Sequence, residues 1–322
     1  MSLTQDWRDV SPAEVVPLLQ AERRRWLDTL HWDLGPALKL VESARIRGEV
    51  PGLVLRDDRG QAAGWAFYLL AGRQLQIGAV NATTAAGVRQ LLDGVMAAPE
   101  AQLASSLSCF LYPGSKSVAS ALVRLRFELQ EHEYLEANLA TMRGLDRALE
   151  DTWLQPLRAE NGAAAVRLLA RAYAGDPAGR AFAPNARLDE WAQYLGQIFA
   201  TPSVGSWVPE ASLVAPGDSP DGLSGLIVTT EVARSIAHIA QIVVDPSLRR
   251  QGLGRRLLLA AAARAAALGA KRLTLIVSGH NTAARALYAS LGFTRRGTFL
   301  FGQRGAAPRR VGGVTIRAGA AA

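Results

Sequence analysis

The stretch SKSVASALVRLRF at 115–127 and the stretch NTAARALYASLGF at 281–293 share one pattern, at an offset of 281 − 115 = 166. At this offset Leu125, Arg126 and Phe127 stand over Leu291, Gly292 and Phe293. Leu91 and Leu92 stand over Leu257 and Leu258, and Leu107, Cys109 and Leu111 over Leu273, Leu275 and Val277. Upstream, GWAFYLLAGRQLQI from position 64 stands over GLIVTTEVARSIAH from position 225, an offset of 225 − 64 = 161. An internal repeat constrains the chain more than any local pattern, because each copy of the plan must bury its own apolar faces. The step from 161 to 166 leaves the first copy five residues short, at a point between a strand and a helix.

A length of 322 residues accommodates two domains of ordinary size, here 1–147 and 148–322. In the second, TWLQPLRAE reads as a strand, NGAAAVRLLARAYAG and LDEWAQYLGQIFA as helices, and residues 211–215 as a short strand among Pro/Gly/Ser-rich loops. LSGLIVTTEV and RSIAHIAQIVV read as paired strands. Then come a glycine-studded turn, a helix over 253–268, the strand KRLTLIV, the helix NTAARALYASL and the strand TRRGTFLFG. A Gly/Ala-rich tail follows from about Ala306 and is expected to be mobile at its end.

The missing piece of the first copy is the turn. In the second copy VVDPSLRRQGLGRRLL spans residues 243–258, whereas the first offers only NATTAAGV. Main-chain N–H groups at a strand-to-helix turn lack partners and point outward with the positive end of the helix dipole, so they attract anions. Gly252 and Gly254 remove side chains that would block approach, and Arg249, Arg250, Arg255 and Arg256 add charge beside them. A diphosphate is the natural occupant. The wider charge pattern agrees. Residues 246–322 hold 14 Lys and Arg and no Asp or Glu; the preceding part of the chain holds 36 − 14 = 22 basic against 28 acidic residues. So one-sided a segment points to a polyanionic partner, either nucleic acid or a phosphate-rich small molecule. A single-strand binder would interleave aromatics with its arginines, but only Tyr288, Phe293, Phe299 and Phe301 occur there, which disfavours nucleic acid.

Two nucleotide motifs can be set aside. A Walker loop needs Lys and then Ser or Thr after its last glycine, where this chain has Arg255 and Arg256. A dinucleotide fingerprint needs a third small residue and an acid about 20 residues on; position 257 is Leu and no acid lies downstream. What remains is V-x-P-x-x-R-x-x-G-x-G, filled by Val244, Pro246, Arg249, Gly252 and Gly254. This pattern resembles the acetyl-CoA-binding signature of the GNAT superfamily of N-acetyltransferases. NTAARALYASLGF, separated from Gly254 by one helix and one strand, looks like the second motif of that family, with Asn281, Ala284, Tyr288, Gly292 and Phe293 in the usual spacing.

The resemblance implies an α/β (α+β) chain of two tandem GNAT folds, each a twisted mixed β-sheet flanked by helices. It covers residues 223–302 by motif and the first copy by element order alone. The two-copy layout is similar to that of the mycothiol synthases, whose acceptor is a cysteinyl-sugar amine. The family likeness further implies acetyl-CoA as cosubstrate, no metal, and N-acetyl transfer to a primary amine by direct attack in a ternary complex. The main chain of Ile242, Val243 and Val244 would line the pantetheine arm, and the N–H groups of Arg250, Gln251, Gly252, Leu253, Gly254 and Arg255, with Arg249 beside them, would hold the diphosphate region. Asn281 would cap its helix and touch the arm. Tyr288 would be the general acid for the departing thiolate.

An alkyl-ammonium with a pKa near ~10.4 must lose a proton before attack. His238, on the strand leading to Gly252 at an offset of 252 − 238 = 14, is a candidate base, with Glu231 as a second and a water chain as the third option. In the first copy Tyr288 corresponds to Leu122, Asn281 to Ser115 and His238 to Ile77, so that half reads as a degenerate copy shaping the fold or the acceptor pocket. The acceptor would be a small-molecule or peptide amine. Segment 173–223, with Asp176, Asp189, Glu190, Glu210, Asp218 and Asp221, would form much of its pocket, most of those acids being ordinary loop charge. The alternative is a non-catalytic acyl-CoA sensor.

Cys109, the only cysteine, excludes an internal disulfide and sits in an apolar run as a buried strand residue. The start, MSLTQDWRDV, lacks the features of a signal peptide, and no apolar run approaches the ~18 residues of a membrane span, so a cytoplasmic location without a membrane partner is expected. Oligomeric state has no signature in the sequence.

Overall fold

A computed structural model describes residues 3–112, 115–146, 153–217, 222–305, 310–311 and 314–315. Most of the tail from Ala306, together with Asp218 and Asp221, lies outside them. The chain runs β1 (Leu3–Asp6), α1 (Pro12–Leu30), α2 (Gly35–Ile46), β2 (Gly52–Arg56), β3 (Ala62–Ala71), β4 (Gln74–Ala82), α3 (Ala85–Ala97), α4 (Pro99–Leu103), β5 (Ser106–Leu111), α5 (Lys116–Arg124) and β6 (Glu128–Asn138). It continues with β7 (Gln155–Pro156), α6 (Gly162–Ala172), α7 (Leu188–Ala200), β8 (Ser206–Trp207), β9 (Leu213–Pro216), β10 (Leu223–Ala233), β11 (Ile236–Val244), α8 (Leu253–Ala267), β12 (Arg272–Ser278), α9 (Thr282–Ser290) and β13 (Thr294–Gly305). Two compact units form, one from residues 1–15, 45–130 and 300–322, the other from 16–44 and 131–299.

In the first unit the strand order is β1-β2-β3-β4-β5-β13. Among the described residues of this unit only β4 and β5 are parallel, from Gln74↔Ser106 to Ile77↔Cys109. Residues Leu300–Gly305 of β13 run antiparallel to β5, from Leu300↔Leu111 to Gly305↔Ser106. Val88, Leu91, Leu92 and Val95 of α3 recur at helical spacing and join Val118, Ala121 and Leu122 of α5 in a core with Leu75, Ile77 and Cys109. Each such leucine, fully buried, contributes about 1.5–3 kcal/mol. Burial also pushes the Cys109 thiol pKa up to about 12, so it is a core side chain rather than a nucleophile.

In the second unit the order is β6-β12-β11-β10-β9-β7, with β8 also on β10. Here β11 and β12 are the parallel pair, and β6 lies antiparallel to β12 from Asn138↔Arg272 to His132↔Ser278. Ile227 of β10 faces a core with Leu257, Leu258 and Ala261 of α8. Its neighbours Leu226 and Val228 face Leu168 and Leu169 of α6 and Trp191 and Leu195 of α7. Helices thus cover both faces, which is why LSGLIVTTEV is apolar without strict alternation.

The copies match element by element. Helices α5 and α9 begin at an offset of 282 − 116 = 166 and end at 290 − 124 = 166, and β5 and β12 begin at 272 − 106 = 166. A register shift at Phe67/Tyr68 recurs at Val228/Thr229, where the offset is 228 − 67 = 161. A further irregularity between Glu231 and Ala233 has no counterpart in the β3–β4 hairpin, so β4 and β11 match at 236 − 74 = 162. His238 therefore stands over Gln76, each opposite the matching residue of the parallel neighbour (Thr274 and Ser108), and not over Ile77. The turn itself is longer in the second copy by 166 − 162 = 4, with the fifth residue in the hairpin.

The last strand of each copy completes the other unit. Strand β6 ends the first copy in sequence but pairs with β12, while β13 ends the second copy and sends Leu300–Gly305 to β5. Residues 16–44 also belong to the second unit. The division at 147/148 follows the sequence repeat and coincides with neither unit's edge.

Candidate active site

The site begins where β11 leaves the sheet. Asp245 Oδ1 accepts from Ser247 N at 3.0 Å and Ser247 Oγ at 2.7 Å, closing the one-turn 3-10 segment Pro246–Leu248. Asp245 Oδ2 accepts from Arg171 Nη2 at 2.8 Å, tying the turn to α6. Hydrogen bonds from Ser247 and the Arg171 guanidinium outweigh burial and hold this carboxyl below the usual range. Arg249 Nη2 donates to Ala172 O at 2.5 Å. Arg250 and Gly252 then adopt left-handed backbone, φ 66° and 84°, and α8 starts at Leu253. For an L-residue such as Arg250 this costs roughly 1–2 kcal/mol.

Left-handed residues alternating with ordinary ones turn successive N–H groups into one concavity. Among the described residues, the N–H groups of 250–255 meet no main-chain acceptor, whereas that of Arg256 reaches Gly252 O at 3.1 Å. A Cβ added at Gly252 would meet nothing within 4 Å, and one at Gly254 only Val244 Cγ2 at 3.6 Å, so both glycines face open space. Arg255 Nη1 donates to Ser290 Oγ at 3.2 Å, and the Arg256 guanidinium lies 4.8 Å over the Trp153 ring. Glycine, helix start and guanidinium chemistry all fit a phosphate-bearing ligand.

Ahead of this turn β11 parts from β12. Their pairing stops at Ile239↔Leu275, and opposite β10 the register jumps from Ile239 to Gln241, leaving Ala240 as the bulge. Beyond that point Ile242 N donates to the side chain of its own neighbour, Gln241 Oε1, at 2.9 Å. Ile242 and Val244 pack against the α8 core, and Val243 against the α6–α7 core.

Tyr288 of α9 is 5% exposed and belongs to the α8 core, its ring 5.6 Å from Phe293. Burial pushes its phenol pKa up, so it stays protonated. Asn281 Oδ1 accepts from Ala284 N at 3.1 Å, the expected N-cap. His238 is elsewhere: 3% exposed, its ring 4.8 Å from Trp32 and 6.1 Å from Tyr134. Its Nδ1 lies 2.9 Å from Thr274 Oγ1, and that hydroxyl donates to Ala237 O, so Nδ1 carries the hydrogen. Burial lowers the His238 pKa to about 3. This alters the expectation of a base, because a group with that proton affinity is neutral at pH 7 and takes up a proton poorly. Glu231 is exposed at the end of β10, opposite Ala237 and Ser206.

Of the acidic residues at 173–223, Asp176 caps a turn through Ala178 N, Asp189 pairs with Arg187, and Glu190 accepts from Asn185. Sequence reasoning missed Asp245, although Asp-Pro-Ser before an arginine is a turn signal. It also missed Tyr173, Tyr194 and Gln241, which converge beside the bulge: Tyr173 Oη donates to Gln241 Oε1 at 3.1 Å. No local pattern links residues so far apart.

Residues 164–293 match the model of the Acetyltransferase (GNAT) family. The chain is 34% identical over 132 residues to the mycothiol acetyltransferase of Kineococcus radiotolerans, covering 37% of this chain and 43% of that one. It thus spans less than half of the length of that curated relative. Among solved structures, a tandem GNAT protein from the clavulanic acid biosynthesis pathway superposes with a TM-score of 0.52 at 15% identity, over 81% of this chain and 84% of the other. A GCN5-related N-acetyltransferase from Sphaerobacter thermophilus gives 0.53 at 15% identity, over 80% and 81%. These likenesses show the fold, a mixed α/β tandem GNAT arrangement. No helix among the described residues is long and apolar enough to cross a membrane.

Proposed function

We propose that the chain transfers an acetyl group from acetyl-CoA to a primary amine by direct attack in a ternary complex, using groups of residues 148–322. The observation that carries this reading is the left-handed turn at Arg250–Gly252, its N–H groups turned outward at the start of α8 and placed just past the point where β11 and β12 part. The first copy, α5 and β5 included, has no such turn between β4 and α3.

In this reading the N–H groups of residues 250–255, with Arg249 and Arg255 beside them, hold the diphosphate. The main chain of Ile242, Val243 and Val244 lines the pantetheine arm, and Asn281 stands at its other side. Ile242 N–H polarises the thioester carbonyl. The amine nitrogen forms the new C–N bond as the C–S bond breaks, and Tyr288, kept protonated by burial, hands its proton to the departing sulfur. The surplus amine proton leaves to water or to Glu231, the exposed carboxylate of the pair of base candidates; His238, neutral and bonded to Thr274, serves to set strand and ring positions. Rate gain comes mainly from holding amine and thioester in line.

The acceptor is proposed to be a small-molecule amine, and relatives named mycothiol acetyltransferase make cysteinyl-sugar amines the first class to try. A screen of primary amines with acetyl-CoA, reading free thiol, tests the reading. At least one amine should give turnover that Tyr288→Phe slows. Tight acetyl-CoA binding with no thiol released by any amine would favour a sensor, and no binding would end the proposal.

A further inference from the structure

We propose that Gln241 is a positioning residue that occupies the Ile242 N–H until acetyl-CoA displaces it. The inference rests on reading residues 236–255 as the acetyl-CoA site.

A buried N–H left without a partner costs about 1–3 kcal/mol. Past Ile239↔Leu275 strand β12 no longer pairs with β11. At Ile242 the chain meets the need from within, since Gln241 Oε1 accepts that N–H at 2.9 Å. Gln241 is 5% exposed, and its carboxamide is held from the other side as well. Tyr173, the residue closing α6, donates to Oε1 at 3.1 Å; Gln241 Nε2 lies 3.4 Å from Tyr194 Oη on α7, and Tyr194 Oη donates to Ala240 O at 3.3 Å. The two tyrosines are themselves fixed by Phe182 and Trp191, with ring centroids 4.8–5.6 Å apart along Tyr194–Phe182–Tyr173–Trp191. Gln241 therefore keeps partners on Tyr173 and Tyr194 after it releases Ile242, and its carbonyl competes with any other oxygen for the same N–H.

The first copy supplies an internal comparison. At the 162 offset Ala79 stands at the place of Gln241, so the copy without the turn has no carboxamide here either. Phosphate turn and carboxamide are present together or absent together.

Acetyl-CoA brings a carbonyl oxygen to this N–H and CoA does not, so the two ligands read the competition separately. Titration calorimetry with each, on the wild type, Gln241→Met and Gln241→Asn, is the test. Methionine keeps the volume without an acceptor, and asparagine is polar but one methylene too short to reach. Both variants should raise the preference for acetyl-CoA over CoA by roughly 3–10-fold, the gain from one freed hydrogen bond, with CoA affinity within about twofold of wild type. Thermal melts establish that each variant is folded. An unchanged or smaller preference in a folded variant overturns the role of Gln241, as does an equal loss for both ligands. If the wild type binds neither ligand, the site reading itself fails.

Discussion

Arg126 and Gly292, matched at the offset 292 − 126 = 166, hold the same left-handed backbone just past α5 and α9, with φ of 63° and 94°. In both copies the next residue closes the helix by an identical bond, Phe127 N to Leu122 O at 3.0 Å and Phe293 N to Tyr288 O at 3.1 Å. The geometry is a glycine geometry, and the first copy keeps it with an arginine. Arg126→Gly is therefore expected to stabilise the protein by about 1 kcal/mol, and Gly292→Ala to destabilise it by about the same amount. Urea unfolding of the two variants against the wild type checks both signs.

Asp245 anchors the turn to α6. Asp245→Asn removes the charge that Ser247 and Arg171 share and should cost about 1–3 kcal/mol at pH 7. It should also weaken CoA binding several-fold, because the 3-10 segment that Asp245 caps leads into Arg250 and Gly252. The carboxyl pKa is lowered on folding, so its contribution is present above the ordinary value and fades as pH falls through the folded one. The gap between variant and wild type should narrow in acid melts.

Tyr288→Phe should lower kcat by about 10²–10⁴-fold while leaving acetyl-CoA affinity within twofold. Since burial raises the phenol pKa, loss of its proton sets no basic limb in the rate profile between pH 7 and 9.5. A limb there that vanishes in the variant would contradict the assignment.

His238 adds a second pH dependence of stability. Its folded pKa of about 3 lies below the ordinary 6.5, so the unfolded chain takes up a proton that the folded one refuses. Stability from the neutral ring is complete above about pH 6.5 and is lost as pH falls from there toward 3, by up to ~1.4 kcal/mol per pH unit. Melting curves of His238→Gln between pH 7 and 5 should fall less steeply than those of the wild type. The profile of kcat/KM should lack a limb near 6.5 that depends on this residue.

Much of this was legible in the sequence because it is written in short-range pattern. The glycine turn, the N-cap at Asn281 and the matched helices α5 and α9 follow from spacing alone. Where the chain resisted reading, the cause was pairing. Period-two alternation tells which face a residue takes but not which strand lies alongside, so β13 read as the last strand of its own copy, with no sign that Leu300–Gly305 pairs with β5. A single extra residue near Val232 displaced His238 from Ile77 to Gln76. TWLQPLRAE shrank to Gln155–Pro156, since proline offers no N–H to extend a ladder. The bond from Ile242 to Gln241 depends on where β12 stops, which no local pattern records.

The traded strands also order events at the ribosome. Translation delivers β1 to β5 well before β13, so the unit that contains them keeps the flank of β5 open until Leu300–Gly305 has been made. The unit begun first is thus the one that finishes last, and during that interval its unpaired edge is open to pairing with another chain.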